Sequence, residues 1–205
     1  MLLLEITKVL IGLVSAGCFF VLIPRAIRED SSYLRLITIV FLIIAATNIA
    51  VGYIPITYGS ETVQSWGSFI SVVAILSTLF MIIRESKPVF ARFPFYLTFL
   101  PFISLVFFGS LEVNIAIKNL LIMIFEAGAI LVGLIIFGIN TYLYSISRIY
   151  LMGTVVFLIN YILAFTNLYN TFNGELVEAI IACIGMILFA YALLKKPFNE
   201  HIISQ

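Results

Sequence analysis

Long apolar runs separated by short polar connections make up nearly the whole chain. A helix needs about 20 predominantly apolar residues to cross the hydrocarbon layer of a membrane. Seven runs are candidates: about 4–24, 35–55, 63–84, 93–109, 113–138, 148–168 and 174–195. The pattern therefore predicts an all-α fold, a polytopic integral membrane bundle of seven transmembrane helices forming a single domain over 1–205. The connections are too short to hold a soluble domain.

The fourth run is the shortest of the seven and contains Pro101. Proline removes one backbone donor from a helix, but neighbouring helices in a membrane bundle can satisfy the carbonyl that this leaves free. We therefore expect a kink at Pro101 rather than the end of the helix.

Basic residues occur at alternate connections. They are Arg25, Arg28, Arg35, Arg84, Lys87, Arg92, Arg148, Lys195 and Lys196. The connections between them, "ITYGSET", "SLEVN" and "NLYNTFNG", contain no Lys or Arg. Because basic loops stay on the cytoplasmic side, the alternation predicts an odd number of crossings, with the N-terminus outside and the C-terminus inside.

Composition restricts the class of protein further. Hydrophobic residues make up 63% of the chain and charged residues 10%, whereas soluble domains are about 25% charged. The mean hydropathy is +1.20, which indicates that lipid is the surrounding solvent and a partner. A net charge of +1 argues against a nucleic-acid partner. The composition also suggests the cytoplasmic (inner) membrane of a bacterium.

Ionisable side chains inside a membrane are expensive and usually face the interior of the bundle. Glu126 lies in "MIFEAG", near the centre of the longest apolar run. Apolar surroundings favour the neutral form of such a carboxyl. Lys118 precedes it by two helical turns, too far for a direct pair, and the two side chains are expected to line one polar path on nearly the same face. Glu126 either takes part in the function of the protein or has a purely structural role inside the bundle.

Other polar residues recur at membrane depth. Asn48, Asn160 and Tyr161 join Glu126 and Lys118 as a candidate intramembrane polar site. The alternative is that such residues, with Ser71, Ser77 and Thr78, form interhelical hydrogen bonds, which are common in membrane bundles. Small residues predict close helix packing at Gly128, Gly133, Gly138, Gly153 and Gly185.

Several kinds of chemistry lack their motifs. His201 is the single histidine and lies in the C-terminal tail, so no metal site is expected. The chain has neither a GxxxxGK[ST] loop nor a GxSxG elbow, and no cofactor is expected. A retinal protein would carry a lysine in the middle of its last helix, whereas Lys195 and Lys196 lie at its end.

Two stretches of the chain resemble the YhhN-like lysoplasmalogenase family. "GTVVFLINYILAFTNLY" (153–169) is similar to a late motif of that family, with Gly153, Phe157 and Asn160 in step with it, and "FLIIAATNIAVGY" is similar to an earlier helix. The resemblance implies that the chain corresponds to the last seven of eight helices. It also implies cleavage of the vinyl ether of lysoplasmalogens by intramembrane aspartates.

The chain differs from this family at the positions of the catalytic aspartates. The two matching acidic positions carry amides, Asn48 and Asn160, and an amide cannot shuttle a proton as a carboxyl does. The sequence therefore favours a non-catalytic lipid-binding module or a subunit of a larger membrane complex with a protein partner. An intramembrane lipid hydrolase and a small transporter or sensory domain are the alternatives.

Overall fold

The computed structural model describes residues 2–29, 31–53, 60–86, 88–110, 115–144, 148–166 and 174–195. These residues form helices and no strand. In chain order the elements are α1 (Leu2–Arg28), α2 (Ser32–Tyr53), α3 (Ser60–Ser86), α4 (Pro88–Ala91), the 3₁₀-helix η1 (Phe95–Ile103), α5 (Ser104–Ser110), α6 (Ile115–Tyr144), α7 (Arg148–Phe165) and α8 (Gly174–Lys195).

Six helices, α1, α2, α3, α6, α7 and α8, are long and apolar enough to cross a membrane. This part of the predicted architecture is confirmed. Each helix contacts the next in that order, and α8 returns to contact α1. The six long helices therefore form a closed ring.

We call the end of the bundle at which α1 begins its N-terminal face, and the opposite end its C-terminal face. Helices α1 and α8 are parallel, because Ser15 and Cys18 contact Met186 while Arg25 contacts Leu193 and Leu194. Helices α3 and α6 are parallel too, since Phe69 packs on Phe125 and Leu76 lies in a cluster with Ala129.

The segment Phe95–Ser110 consists of η1 followed directly by α5. It runs along α3 in the opposite direction. Its start contacts the far end of α3, where the Arg84 guanidinium lies 5.5 Å from the ring centre of Phe95. Its end contacts the beginning of α3, where the Phe108 ring centre lies 5.0 Å from that of Trp66. The segment therefore passes from the C-terminal face to the N-terminal face, as the parallel arrangement of α3 and α6 requires.

The 3₁₀ conformation explains how so short a segment covers this height. From Trp66 to Arg84, α3 is about 27 Å long at about 1.5 Å per residue. The nine residues of η1 rise about 2.0 Å each, and the seven of α5 add about 10 Å. Between the two contacts, Phe95 to Phe108, the segment rises about 24 Å, whereas an α-helix of the same length would rise about 20 Å.

This segment differs from the regular kinked helix expected over 93–109. Pro101 lies inside η1. Because proline has no backbone N–H, it cannot donate the hydrogen bond to the carbonyl four residues earlier that an α-helix requires. The hydroxyls of Thr98 and Ser104 donate to carbonyls three residues earlier, those of Phe95 and Pro101. Helices α1 and α3 extend the predicted runs at both ends, and α8 coincides with its run. Helix α2 begins three residues earlier and is described to Tyr53, α6 is described from Ile115 and ends six residues later, and α7 is described to Phe165 rather than 168.

The main hydrophobic core lies toward the C-terminal face. There Phe137 of α6, Tyr150 of α7 and Phe189 of α8 form an aromatic triad with ring centres 5.2 to 5.7 Å apart. Tyr33 and Leu34, at the start of α2, are 1% exposed in the same core. The residues of the candidate polar site lie in the other half of the ring: Asn48, Lys118, Glu126, Asn160 and Tyr161.

Candidate functional site

Lys118 lies in the first turn of α6 and turns toward α3 and α5. It is 7% exposed, and its Nζ lies 5.3 Å from the ring centre of Phe108 and 6.0 Å from that of Trp66. A cation over aromatic faces is stabilised by their quadrupoles, more strongly where water is excluded. Within the described part of the chain, no acidic side chain forms an ion pair with Lys118.

Glu126 faces a different neighbour, α7. It lies on the same face of α6 as Gly133 and Phe137. A Cβ built at Gly133 would lie 3.2 Å from Cγ2 of Thr154, and Phe137 stacks on Tyr150, so this face packs on α7. These contacts make α6 and α7 antiparallel and place Glu126 level with Tyr161. Eight residues of α-helix rotate Glu126 about 80° from Lys118 around the axis, so the structure does not bring the two side chains into one path.

Glu178 of α8 is the acidic side chain that acts electrostatically on Glu126. Both glutamates are half-buried. Glu178 lies in the second turn of α8 and Glu126 farther along the parallel helix α6, so the pair lies in the half of the ring nearer the N-terminal face. No pattern in the sequence connects Glu178 with Glu126.

Tyr161 and Asn160 complete this group at the same depth. The Tyr161 hydroxyl donates a 3.3 Å hydrogen bond to the Met123 carbonyl, which joins α7 to α6. Asn160 is half-buried next to it. The structure therefore brings Glu126, Asn160, Tyr161 and Glu178 together on α6, α7 and α8.

Asn48 belongs to another part of the ring. It continues the buried stripe of α2 formed by Leu34, Phe41 and Ala45. Its Nδ2 donates a 2.9 Å hydrogen bond to the Ile44 carbonyl of its own helix. Asn48 therefore satisfies a donor locally and is not joined to Glu126 by a hydrogen bond among the described residues.

Ser71 and Thr78 form hydrogen bonds within their own helix, α3, rather than to a neighbouring helix. Ser71 and Thr78 donate to the carbonyls of Gly67 and Ala74, four residues earlier, at 2.7 and 2.8 Å. The Ser77 hydroxyl is buried without a partner in the described residues. For Ser71 and Thr78 the expected interhelical bonds are wrong, because the carbonyl one turn back is always within reach of such a side chain.

Comparisons with protein families, curated proteins and solved structures gave no match. The resemblance to the YhhN-like lysoplasmalogenases therefore stays a prediction.

A second polar feature, which sequence reasoning missed, lies at the C-terminal face. Arg25 of α1 donates from Nη1 to the carbonyls of Leu193 and Leu194, the last turn of α8, and from Nε to Glu29 at 2.6 Å. A cation at the C-terminal end of a helix interacts favourably with its exposed carbonyls and dipole. The one signal in the sequence is an arginine directly after Pro24, inside a helix.

Proposed function

We propose that this protein is a membrane-embedded module that binds an anionic lipid without transforming it. We further propose that the chain crosses the membrane seven times, with the N-terminus outside and the C-terminus inside. The placement of basic residues at the C-terminal face and the full traverse by Phe95–Ser110 support this orientation.

Lys118 is the observation that carries the proposal. Among the described residues Lys118 has no ion-pair partner, and a buried ammonium group in that state is unfavourable, even under two aromatic rings, unless an anion neutralises it. The positive end of the α6 dipole adds to the same local field. Phosphate is the abundant anion at the edge of a bilayer, and lysine binds it as a point charge.

The surface next to Lys118 suits the rest of a lipid. Ile117, Leu120 and Ile124 of α6 are 44% to 57% exposed, and Val106 and Phe107 of α5 are 74% and 64% exposed. Ile117, Leu120 and Ile124 lie about 100–160° around the α6 axis from Lys118, so an acyl chain along these apolar side chains would reach the lysine only through its headgroup. An anionic headgroup at Lys118 with a chain along these side chains satisfies both surfaces.

The polar residues support binding rather than catalysis. Asn48 and Tyr161 each donate to a backbone carbonyl, and Lys118 lies against two rings. The Tyr161 contact joins α7 to α6 and the Asn48 contact is local to α2, so both donors are engaged by backbone carbonyls.

Native mass spectrometry of the protein extracted gently from its membrane tests the proposal. We expect bound anionic phospholipid in the wild type and about a tenfold lower bound fraction in Lys118→Met, because a charge-assisted contact contributes roughly 1.5 kcal/mol. Lys195→Met is the matched control, since Lys195 is exposed and lies over one ring, 5.7 Å from the centre of Tyr191.

Lys118→Arg retains the charge and is expected to retain most of the bound lipid. Undiminished lipid in a folded Lys118→Met variant would show that the proposal is wrong. A stoichiometric protein in place of lipid would instead make this chain a subunit of a membrane complex.

A second candidate function is an intramembrane lipid hydrolase, which the juxtaposition of Glu126 and Glu178 favours. Two adjacent carboxyls disfavour double ionisation, so one can hold a proton while the other accepts one. Turnover of lysophospholipid in detergent that is lost in Glu126→Gln would support this function. Turnover that persists in this variant would exclude Glu126 from the chemistry.

A further inference from the structure

A cavity of about 340 Å³ lies in the groove between α1 and α8 at the C-terminal face. Its lining residues are Val21, Pro24, Arg25, Arg28, Glu29 and Leu194. The volume is near the lower end of ligand sites, which begin at about 300 Å³. It therefore suits a headgroup rather than a whole lipid.

The charges in this groove have different roles. Arg25 and Glu29 are paired with each other, and Arg25 also caps α8. Arg28 lies one turn beyond Arg25, is exposed, and has no hydrogen-bond acceptor within the described part of the chain. Because Glu29 is neutralised by Arg25, the groove presents the net positive charge of Arg28.

The walls of the groove are apolar where they continue toward the middle of the membrane. Val21 is 53% exposed and Leu194 is 38% exposed, and Pro24 lies between Val21 and the arginines along α1. A guanidinium at the end of a membrane helix with an apolar wall on its membrane side matches a phosphodiester and the first carbons of its chains.

We propose that this groove binds the phosphate headgroup of an anionic phospholipid from the leaflet at the C-terminal face. The Arg28 N–H groups donate to phosphate oxygens, and the glycerol and upper acyl chains lie against Val21, Pro24 and Leu194. The site is separate from the Lys118 site, which lies at the opposite face, so either can be absent while the other remains.

Such a lipid would hold the ring closed. Helices α1 and α8 are the first and last of the six, and their contact closes the ring. Arg25 already ties this seam through the last carbonyls of α8. A lipid seated across both helices adds a second tie, so the anionic lipid is expected to raise the thermal stability of the whole bundle.

The test is thermal unfolding of the full chain in lipid nanodiscs. Wild-type protein in discs that contain phosphatidylglycerol is expected to unfold at a higher temperature than in discs of phosphatidylcholine alone. Arg28→Gln is expected to lose most of this difference. Arg148→Gln, an exposed arginine at the start of α7, is the matched control and should retain it.

Val21→Trp separates a seated headgroup from general attraction to an anionic surface. This variant fills the groove but leaves every charge in place, so it should lose the phosphatidylglycerol effect as Arg28→Gln does. An effect that survives in Val21→Trp or in Arg28→Gln would overturn the proposal. So would an equal stabilisation by inorganic phosphate added to phosphatidylcholine discs, because the ligand would then be a free anion.

Discussion

Gly67 shows how one residue sets the distance between two helices. A Cβ atom built there would overlap the side chain of Thr47 on α2 and would lie 2.7 Å from its Cβ. Rotation about χ1 does not move a Cβ atom, so Thr47 cannot swing away. The close approach of α2 and α3 therefore requires glycine at this position.

Gly67→Ala is expected to lower the stability of the bundle by about 1–3 kcal/mol, the range typical of overpacked sites. Unfolding by a denaturing detergent measures the change. Gly128→Ala is the matched control, since nothing lies within 4 Å of a Cβ built there, and alanine favours a helix.

The double variant Gly67→Ala with Thr47→Gly exchanges the large and small partners and should recover part of the loss. A Gly67→Ala protein as stable as the wild type would mean that α2 and α3 separate freely. Sequence reasoning singled out the glycines of α6, of which Gly128 and Gly138 meet nothing within 4 Å. Gly67 carries no local signal, because its partner Thr47 comes from another helix.

At the scale of the element, the segment Phe95–Ser110 depends on docking to α3 and α6. Phe108 is fully buried and stacks on Phe69 with ring centres 4.1 Å apart. Most other apolar side chains of the segment, such as Val106 and Phe107, are exposed to the surroundings. Because a long 3₁₀ helix is a poor structure by itself, contacts at its two ends must hold it extended.

Phe108→Ala is expected to destabilise the protein by about 3–5 kcal/mol, as deletion of a buried phenylalanine does. Trp66 is the single tryptophan of the chain and packs on Phe108, so its fluorescence should shift to longer wavelength. Phe107→Ala removes the neighbouring, lipid-facing ring and should leave both properties near their wild-type values. If the two variants behave alike, Phe108 does not anchor the segment.

At the scale of the whole molecule, the path of the chain determines which ends share a face. The traverse by Phe95–Ser110 makes α3 and α6 parallel and leaves the beginning of α1 and the end of α8 at opposite faces. Without it, the helices after α5 would be inverted and the basic residues would be divided between both faces. Fold geometry and charge distribution thus agree on one arrangement.

Cysteine labelling from outside the membrane checks this arrangement. Arg92 and Ser110 flank the traverse and are both exposed. We expect Ser110→Cys to react with a membrane-impermeant thiol reagent added outside, and Arg92→Cys to react only after the membrane is opened. The wild type is the control, because Cys18 and Cys183 are buried. Equal reactivity of the two variants from outside would contradict the seven-crossing arrangement.

The sequence by itself determined the all-helical class, the six long apolar helices and the polar residues at depth. These follow from composition and run length, which are local properties that a lipid solvent imposes on any chain. The tertiary structure alone decided that Lys118 and Glu126 face different neighbours, that Glu178 lies near Glu126, and that the fourth run is stretched into a 3₁₀ helix. Each of these depends on contacts between helices distant in the chain, and no pattern within one helix specifies its rotation or height against its neighbours.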